Sequence, residues 1–170
     1  MERFGLIEMG SGPVTLMGNE IKLGDKAPDF TVSDKNLKDT KLSDFKEDII
    51  VISVVPSIDT PTCDIQTRKF NKEATSLGKN VKVLTISMDL PFAQSRWCGA
   101  ANVEHVVTLS DYKNSDFGMK YGLLIKEVRL LARAVLVLDK NRNVKHFELE
   151  KVVKNEPNYA DAMKVVKSLH

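Results

Sequence analysis

Residues 49–87, IIVISVVPSIDTPTCDIQTRKFNKEATSLGKNVKVLTIS, carry the clearest secondary-structure pattern in the chain and indicate its fold class. The two ends of this stretch, Ile49–Val55 and Val81–Ser87, are nearly continuous β-branched runs, which is typical of strands covered on both faces. Between them, side chains recur at steps of three and four along one helix face: Cys63, Thr67, Phe70, Ala74 and Leu77. A strand, a helix and a second strand in this order predict a parallel pair joined by a right-handed crossover.

The residues before this unit predict a short hairpin. Val14–Met17 and Glu20–Leu23 flank Gly18-Asn19, a pair suited to a two-residue turn. The first 13 residues, which are rich in glycine, indicate a loose N-terminal lead-in. A short strand is expected over Phe30–Ser33.

The residues after the unit alternate between helical and extended patterns. A helix is predicted over Leu90–Cys98, with Asp89 as its N-cap and Gly99 as its end. Further strands and a final helix are predicted in this order: His105–Leu109, Ala132–Leu138, Val144–Leu149, and a helix that Asn158 caps. The sequence therefore predicts an α/β fold with a mixed central sheet flanked by helices, in a single domain over residues 1–170.

Composition and charge exclude several classes of protein. The chain has 170 residues, 42% of them hydrophobic and 28% charged, which is ordinary for a globular domain. Lys and Arg number 25 against 23 Asp and Glu, so the net charge of +2 does not indicate a nucleic-acid partner. The longest apolar stretch, Ile49–Val55, is too short to cross a membrane, and the start MERFGLIEMGSG lacks a signal-peptide core. We expect a cytoplasmic protein with no membrane association.

Two cysteines, Cys63 and Cys98, stand 35 positions apart. This spacing excludes a CxxC motif, and two thiols alone rarely close a zinc site, so we expect no metal and no cofactor. The cytosol keeps thiols reduced, which favours a catalytic pair over a structural disulfide. Two buried cysteines that only fill apolar space, with no chemical role, would fit the composition equally well.

The residues around Cys63 indicate a reactive thiol at a helix start. Pro61 suits the first helical position, which makes Thr60 the N-cap and puts Cys63 in the first turn. Thr60 is expected to accept a hydrogen bond from the N–H of Cys63. The free N–H groups and the helix dipole there stabilise a thiolate. Cys63 also begins the apolar stripe of the helix, so an inert, buried thiol is the competing interpretation.

The motif Pro56-x-x-x-Thr60-x-x-Cys63 resembles the active-site motif of the peroxiredoxins. Three longer segments are similar to the thiol peroxidases, the atypical two-cysteine branch of that family: VVPSIDTPTCDIQTRKF (54–70), FAQSRWCGA (92–100) and LLARAVLVLD (130–139). The resemblance implies a thioredoxin-like fold with an N-terminal β-hairpin. It also implies reduction of hydrogen peroxide and organic hydroperoxides, thioredoxin as the reductant, and a homodimer.

The same resemblance implies a role for five residues. Cys63 becomes the peroxidatic cysteine and Cys98 the resolving cysteine, which form an intramolecular disulfide during turnover. Thr60 would contact the thiolate and the peroxide through its hydroxyl. Pro56 would shield the sulfur from bulk water, and Arg133 would pair with the thiolate and the substrate.

Disulfide formation makes a demand on the fold. Cα atoms must approach within about 7 Å for a disulfide, yet Cys63 begins one predicted helix and Cys98 ends another. We therefore predict that the two are too far apart in the reduced protein and that one helix end unwinds during turnover. The neighbouring Trp97 is expected to report this change through its fluorescence.

Two other classes of function remain open from the residues alone. A Cys–His hydrolase would pair Cys63 with His105 or His146. A thioredoxin-like binding or holdase module would need no turnover.

Overall fold

The computed structural model describes residues 1–170. Its strands are, in chain order, β1 Glu2–Met9, β2 Gly12–Met17, β3 Thr31–Ser33, β4 Asp39–Lys41, β5 Ile49–Val54, β6 Val81–Ser87, β7 Val107–Ser110, β8 Leu124–Ile125, β9 Ala134–Leu138 and β10 Val144–Leu149. Its α-helices are α1 Pro61–Ala74, α2 Pro91–Ala101, α3 Asp116–Tyr121 and α4 Tyr159–Ser168. None of these helices combines the length and apolar character that crossing a membrane requires.

Seven strands form a central mixed sheet in the order β10-β9-β5-β6-β7-β3-β4. The two apolar runs form the parallel pair β5 and β6, as predicted, and β7 continues it in parallel. The outer strands pair antiparallel with their neighbours. The predicted α/β class with a mixed sheet is confirmed.

Two apolar cores lie on opposite faces of this sheet because successive strand side chains alternate in direction. Ile50 and Ile52 of β5 pack on the face that carries α3 and a second, three-stranded sheet of β1, β2 and β8. Val51 packs on the other face, against α1 and α4. All three side chains are fully buried, which explains why the run is apolar throughout.

The predicted site residues other than Cys98 lie together at the carboxyl end of β5. The loop from Val55 to Thr60 leaves the carboxyl end of β5 and leads into α1. β9 runs antiparallel beside β5, and Val54 pairs with Ala134. Arg133, which directly precedes β9, therefore reaches the start of α1 although it lies far from it in sequence.

The N-terminal β-hairpin is present, but it lies earlier in the chain than predicted. β1 and β2 pair around a turn at Gly10 and Ser11, and Gly18-Asn19 connects no hairpin. The prediction of a loose lead-in over residues 1–13 is therefore wrong. Ile7 is the one buried residue of β1, so the alternation that reveals a strand in sequence is missing from this edge strand.

The ends of α2 also differ from the prediction. Leu90, not Asp89, is the N-cap, and Pro91 occupies the first turn. The helix continues through Gly99 to Ala101 and ends at Asn102, which adopts the left-handed conformation with φ of 56°. Asparagine tolerates that conformation better than most residues, so no glycine is needed to stop the helix.

Candidate active site

Cys63 is the third residue of α1, and its side chain is fully buried. The N–H groups of Thr62 and Cys63 hydrogen-bond to no other backbone group. These free donors and the helix dipole both favour a negative charge at the position of the sulfur. The predicted placement of Cys63 in the first helical turn is confirmed.

Arg133 contacts the Cys63 sulfur. Its Nη2 donates to Sγ over 3.2 Å, its Nη1 donates to Gln66 Oε1 over 2.9 Å, and its Nε donates to the Val153 carbonyl over 2.6 Å. Only 2% of Arg133 is exposed to solvent, so its charge is poorly screened. Among these three partners the sulfur alone can carry a negative charge, so no carboxylate bonds to the guanidinium in competition with the sulfur.

Gln66 is a site residue that was not identified from the sequence. It is fully buried, and its Nε2 donates to Ser53 Oγ over 2.8 Å. This bond fixes the amide with its oxygen toward Arg133. The available signal was a polar residue three positions after Cys63, which is on the same helix face and should have been apolar.

Thr60 begins α1 as predicted, but its side chain does not cap the helix. Its hydroxyl donates to the Ser57 carbonyl over 3.0 Å, so the expected bond from the Cys63 N–H is absent. The backbone N–H of Thr60 also donates to the Ser57 carbonyl. The tight turn that these bonds form commits the hydroxyl to the loop.

Asp89 holds the loop that precedes α1, which explains why it does not cap α2. Its carboxylate accepts hydrogen bonds from Ser57 Oγ, the Ile58 N–H and Ser87 Oγ, each over 2.7 Å. Because Ser57 in turn accepts from Thr60, the end of β6 positions the residues at the end of β5. An aspartate two residues after a buried strand was the available signal, and it was interpreted as a helix cap.

A cavity of about 590 Å³ opens at the carboxyl end of β5. Pro56, Thr60 and Arg133 line it. Met9, the last residue of β1, and Gly10, in the turn that follows, line it as well. Arg133 therefore borders the cavity, whereas the Cys63 sulfur that it contacts is fully buried.

Cys98 lies in the last turns of α2, away from this cavity. Its thiol donates to Thr108 Oγ1 of β7 over 3.8 Å, and both cysteines are free thiols. Burial raises the pKa of the Cys98 thiol, while the hydrogen bond with Thr108 and the charge of Lys35 oppose the rise. A second cavity, of about 690 Å³, opens beside Cys98.

The structure thus brings together four of the five predicted site residues and separates the fifth from them. Arg133 precedes β9 and Thr108 lies in β7, and β5 and β6 lie between these strands. The Cys63 sulfur contacts Arg133, the Cys98 sulfur contacts Thr108, and no disulfide joins the two cysteines. That their Cα atoms are too far apart for a disulfide in the reduced protein stays a prediction.

Two carboxylates, Glu148 near the end of β10 and Glu150 just after it, add a pH-dependent charge near Arg133. Burial raises the pKa of Glu150 to about 7, Glu148 raises it as well, and Arg133 opposes the rise. The negative charge of Glu150 therefore changes around neutral pH, close to the guanidinium that contacts Cys63.

The geometry gives no support to a Cys–His hydrolase. His105 is exposed, and its backbone N–H donates to Asn71. His146 lies on β10, 3.7 Å from Glu148. The polar contact of the Cys63 sulfur is with Arg133. Nowhere do three His, Cys, Asp or Glu side chains cluster as metal ligands would.

Comparison with known proteins places the chain in a class. The model of the Redoxin family matches residues 22–163. A solved peroxiredoxin-like protein from Aquifex aeolicus superposes with a TM-score of 0.90 at 39% identity, covering 98% of this chain and 99% of that one. A thiol peroxidase from Chromobacterium violaceum shares the fold with a TM-score of 0.84 at 19% identity, covering 95% of each chain. The fold is therefore that of the redoxins, and the thioredoxin-like expectation is confirmed.

Closer relatives narrow the class. The thiol peroxidase of Bacillus subtilis (strain 168) is 52% identical over 163 residues, which cover 96% of this chain and 97% of the relative. The thiol peroxidase of Oceanobacillus iheyensis is 57% identical over 147 residues, 86% of this chain and 89% of the relative. The chain therefore belongs to the thiol peroxidases of the redoxin family and is a peroxiredoxin oxidoreductase.

Proposed function

We propose that this enzyme reduces hydrogen peroxide and organic hydroperoxides with Cys63 as the peroxidatic thiol. The observation that carries the proposal is the 3.2 Å contact between the buried Cys63 sulfur and Arg133 Nη2. Arg133 lines a cavity together with Pro56 and Thr60. A buried nucleophilic sulfur beside a cation is suited to attack a small electrophile that can enter the cavity without a bulky substituent.

Ionisation of a thiol does not by itself explain fast peroxide reduction. Lowering the pKa of a cysteine from about 8.5 to about 6 raises the thiolate fraction near pH 7 about 30-fold. Nucleophilicity falls with pKa along a Brønsted slope near 0.45, which costs roughly 13-fold. The net gain is about twofold, so most of the acceleration must come from groups that orient the peroxide and stabilise the departing oxygen.

Arg133 and Thr60 are the groups that we assign to this task. Arg133 carries a buried positive charge at the cavity, where it would stabilise the charge that develops on the departing oxygen. The Thr60 hydroxyl, held by the Ser57 carbonyl, would exchange that partner for the peroxide. Pro56 is buried beside them and would limit the access of water to the sulfur.

The proposed cycle has three balanced steps. The Cys63 thiolate attacks one peroxide oxygen, the O–O bond breaks, and water or an alcohol leaves after taking up a proton. The sulfenic acid formed on Cys63 condenses with the Cys98 thiol, which forms the S–S bond and releases water. A dithiol then reduces this disulfide by exchange and is itself oxidised to a disulfide.

We further propose thioredoxin as the reductant, a homodimer as the assembly and the cytoplasm as the compartment. Membership of the thiol peroxidases supports the first two. A thiol pair that must be returned to the reduced state supports the third. Light scattering is expected to give twice the chain mass of 19.0 kDa. A mass of one chain would contradict the dimer alone.

Mass spectrometry after one equivalent of hydrogen peroxide tests the assignment. The wild type is expected to lose two hydrogen atoms and to carry a Cys63–Cys98 disulfide. The Cys98→Ser variant is expected to gain one oxygen atom at Cys63. Oxygen at another residue, or an unchanged mass, would contradict the role of Cys63.

A matched experiment separates an enzyme from a binding or holdase module. Peroxide-dependent oxidation of thioredoxin is expected with the wild type and is expected to disappear in Cys63→Ser. Equal oxidation of thioredoxin with and without the Cys63 thiol would contradict turnover at this site.

A further inference from the structure

Three side chains join the first turns of α1 to the last turns of α2, directly beside the two cysteines. Asp64, the neighbour of Cys63, accepts a hydrogen bond from Trp97 Nε1 and another from Arg68 Nε, each over 2.8 Å. Arg68 also lies over the indole ring at 5.4 Å and donates to the Ala101 carbonyl over 3.4 Å. We call Asp64, Arg68 and Trp97 the helix latch.

The latch holds α2 in the arrangement that keeps the sulfurs apart. Cys98 follows Trp97 directly, and its thiol points to Thr108 of β7. A disulfide with Cys63 requires this end of α2 to leave the sheet. The hydrogen bond between Trp97 and Asp64 must break when that happens, because the helix end that carries Trp97 moves.

Firm contacts on either side delimit the part of α2 that moves. On the N-terminal side, the buried Gln94 donates to Ser87 Oγ over 2.9 Å and to the Leu109 carbonyl over 2.8 Å. On the C-terminal side, the N–H of His105 donates to Asn71 of α1 over 2.8 Å. Between these anchors, the side-chain hydrogen bonds of α2 to other elements are those of the latch and the weak thiol contact of Cys98.

We infer that Asp64 and Trp97 are positioning residues for the resolving step: the latch sets how often Cys98 reaches the sulfenic acid on Cys63. This inference rests on the proposed function. When α2 opens, the Cys98 sulfur attacks the Cys63 sulfur, the S–O bond of the sulfenic acid breaks, and water carries away the thiol proton. While the latch is closed, a second peroxide molecule can instead oxidise the sulfenic acid to a sulfinic acid and leave as water.

The latch therefore sets what fraction of the Cys63 sulfenic acid becomes a recyclable disulfide and what fraction becomes a sulfinic acid. The Asp64 and Arg68 side chains are partly exposed, at 32% and 50%, so each latch contact is of modest strength. Removing a hydrogen bond of this kind is expected to raise the opened fraction of α2 about three- to tenfold. Disulfide formation should accelerate by the same factor.

The test separates the two chemical steps in the Asp64→Ala variant. Rapid-quench mass spectrometry gives the rate of sulfenic acid formation and then of disulfide formation, and Trp97 emission follows the opening of α2. We expect disulfide formation to accelerate about three- to tenfold. The peroxide concentration that converts half of Cys63 to sulfinic acid should rise by the same factor.

Two control variants isolate the latch from the loss of a charge near Cys63. Asp64→Asn loses the same charge but retains an oxygen that accepts from Trp97 Nε1, so its disulfide rate should lie closer to that of the wild type. Asp161→Ala removes the acidic residue from the first turn of α4, which is not part of the latch. It should leave the disulfide rate and the sulfinic acid yield unchanged.

An Asp64→Ala variant that forms its disulfide no faster than the wild type, with equal sulfinic acid yield, would overturn the inference. Slower disulfide formation would overturn it as well, because it would mean that the latch holds Cys98 in a productive position. Failure of the proposed function would look different: the Cys98→Ser variant would then form no sulfenic acid at Cys63.

Discussion

A buried arginine is ordinarily paired with a carboxylate, but Arg133 bonds to a carbonyl, an amide oxygen and a thiol sulfur. The neutral partners hold the guanidinium in place without cancelling its charge. In the proposed mechanism, that charge is therefore available to the Cys63 thiolate and to the departing oxygen. Each donor nitrogen of Arg133 thus has its own acceptor, so the loss of any donor would leave one of these contacts unmade.

Arg133→Lys should slow the oxidation of Cys63 by peroxide about 100-fold. A lysine keeps the positive charge but loses the planar set of donors that reaches three acceptors at once. Stopped-flow measurement of the second-order rate constant checks this. Arg142→Lys is the matched control, because Arg142 donates to backbone carbonyls away from Cys63 and should keep the wild-type rate. Equal rates for Arg133→Lys and the wild type would contradict the role of the guanidinium.

Gln66→Glu should slow the same step about tenfold, because a carboxylate beside Arg133 would compete with the thiolate for its charge. The change is nearly isosteric, so packing is preserved. Gln94→Glu introduces the same charge at another buried glutamine that bonds to a strand serine, without reaching Arg133. A slowdown of equal size in both variants would mean that buried charge in general, not its position, is responsible.

The position of Cys63 in the first turn of α1 was predictable, because Thr60-Pro61 directly before it marks the start of the helix in the sequence itself. Pro56 and Thr60 belong to the same continuous segment as Cys63. Sequence reasoning could not place Gln66 against Arg133, since that contact depends on the pairing of β5 with β9. The alternation expected of a strand puts Arg133 between two inward alanines, whereas the residue precedes the strand and turns inward. The contact between Gln66 and Arg133 could not be predicted because it depends on how distant segments of the chain pack together.

At the scale of elements, β5, α1 and β6 were predictable because their apolar periods are long and uninterrupted. The short helix α3 was not, because its six residues include Gly118 and its start depends on Asp111, outside the helix. Asp111 accepts from the N–H groups of Phe117 and Gly118 over 3.0 and 2.8 Å. A Cβ on Gly118 would lie 2.8 Å from Leu131, so close packing, not helix propensity, selects the glycine.

Asp111 should make the stability of the protein depend on pH. Burial raises its pKa to about 6, although the hydrogen bonds from Gly118 and Phe117 oppose the rise. The folded state therefore binds this proton more tightly than the unfolded state. The stabilisation that the proton provides is complete below the ordinary aspartate pKa of about 4 and is lost as the pH rises through 6.

The Asp111→Asn variant removes this titration while keeping an oxygen for one N–H group. Chemical denaturation of both proteins across the acidic range measures the difference. Relative to the variant, the wild type should lose about 2 kcal/mol of unfolding free energy between pH values near 4 and 7. A difference that does not change with pH, or one that favours the wild type as the pH rises, would contradict the account of Asp111.

At the scale of the whole molecule, the first strand supports the site from a distance. The N–H of Glu8 donates to the Lys151 carbonyl over 2.7 Å, and the N–H of Val153 donates to the Glu8 carbonyl over 3.0 Å. Val153 in turn accepts from Arg133. β1 therefore holds the segment that holds Arg133, although the sequence suggested only a lead-in there.

Met9 should influence the choice of substrate, because it forms an apolar part of the cavity wall. A cavity of about 590 Å³ is far larger than a molecule the size of water requires. Met9→Gln should raise the KM for cumene hydroperoxide several-fold and leave hydrogen peroxide turnover nearly unchanged. Met1→Gln, at a residue that is 81% exposed, is the control. A parallel change for both peroxides would contradict a role for Met9 in selectivity.

In the proposed mechanism, the site accelerates peroxide reduction by orienting the peroxide and stabilising its departing oxygen, beyond ionising the thiol. The Cys98→Ser variant leaves Cys63 as the sole thiol, so its reactions with hydrogen peroxide and with iodoacetamide are measured directly against free cysteine at the same pH. We predict that the acceleration toward peroxide exceeds the acceleration toward iodoacetamide by at least about 100-fold. Equal acceleration toward both reagents would contradict it.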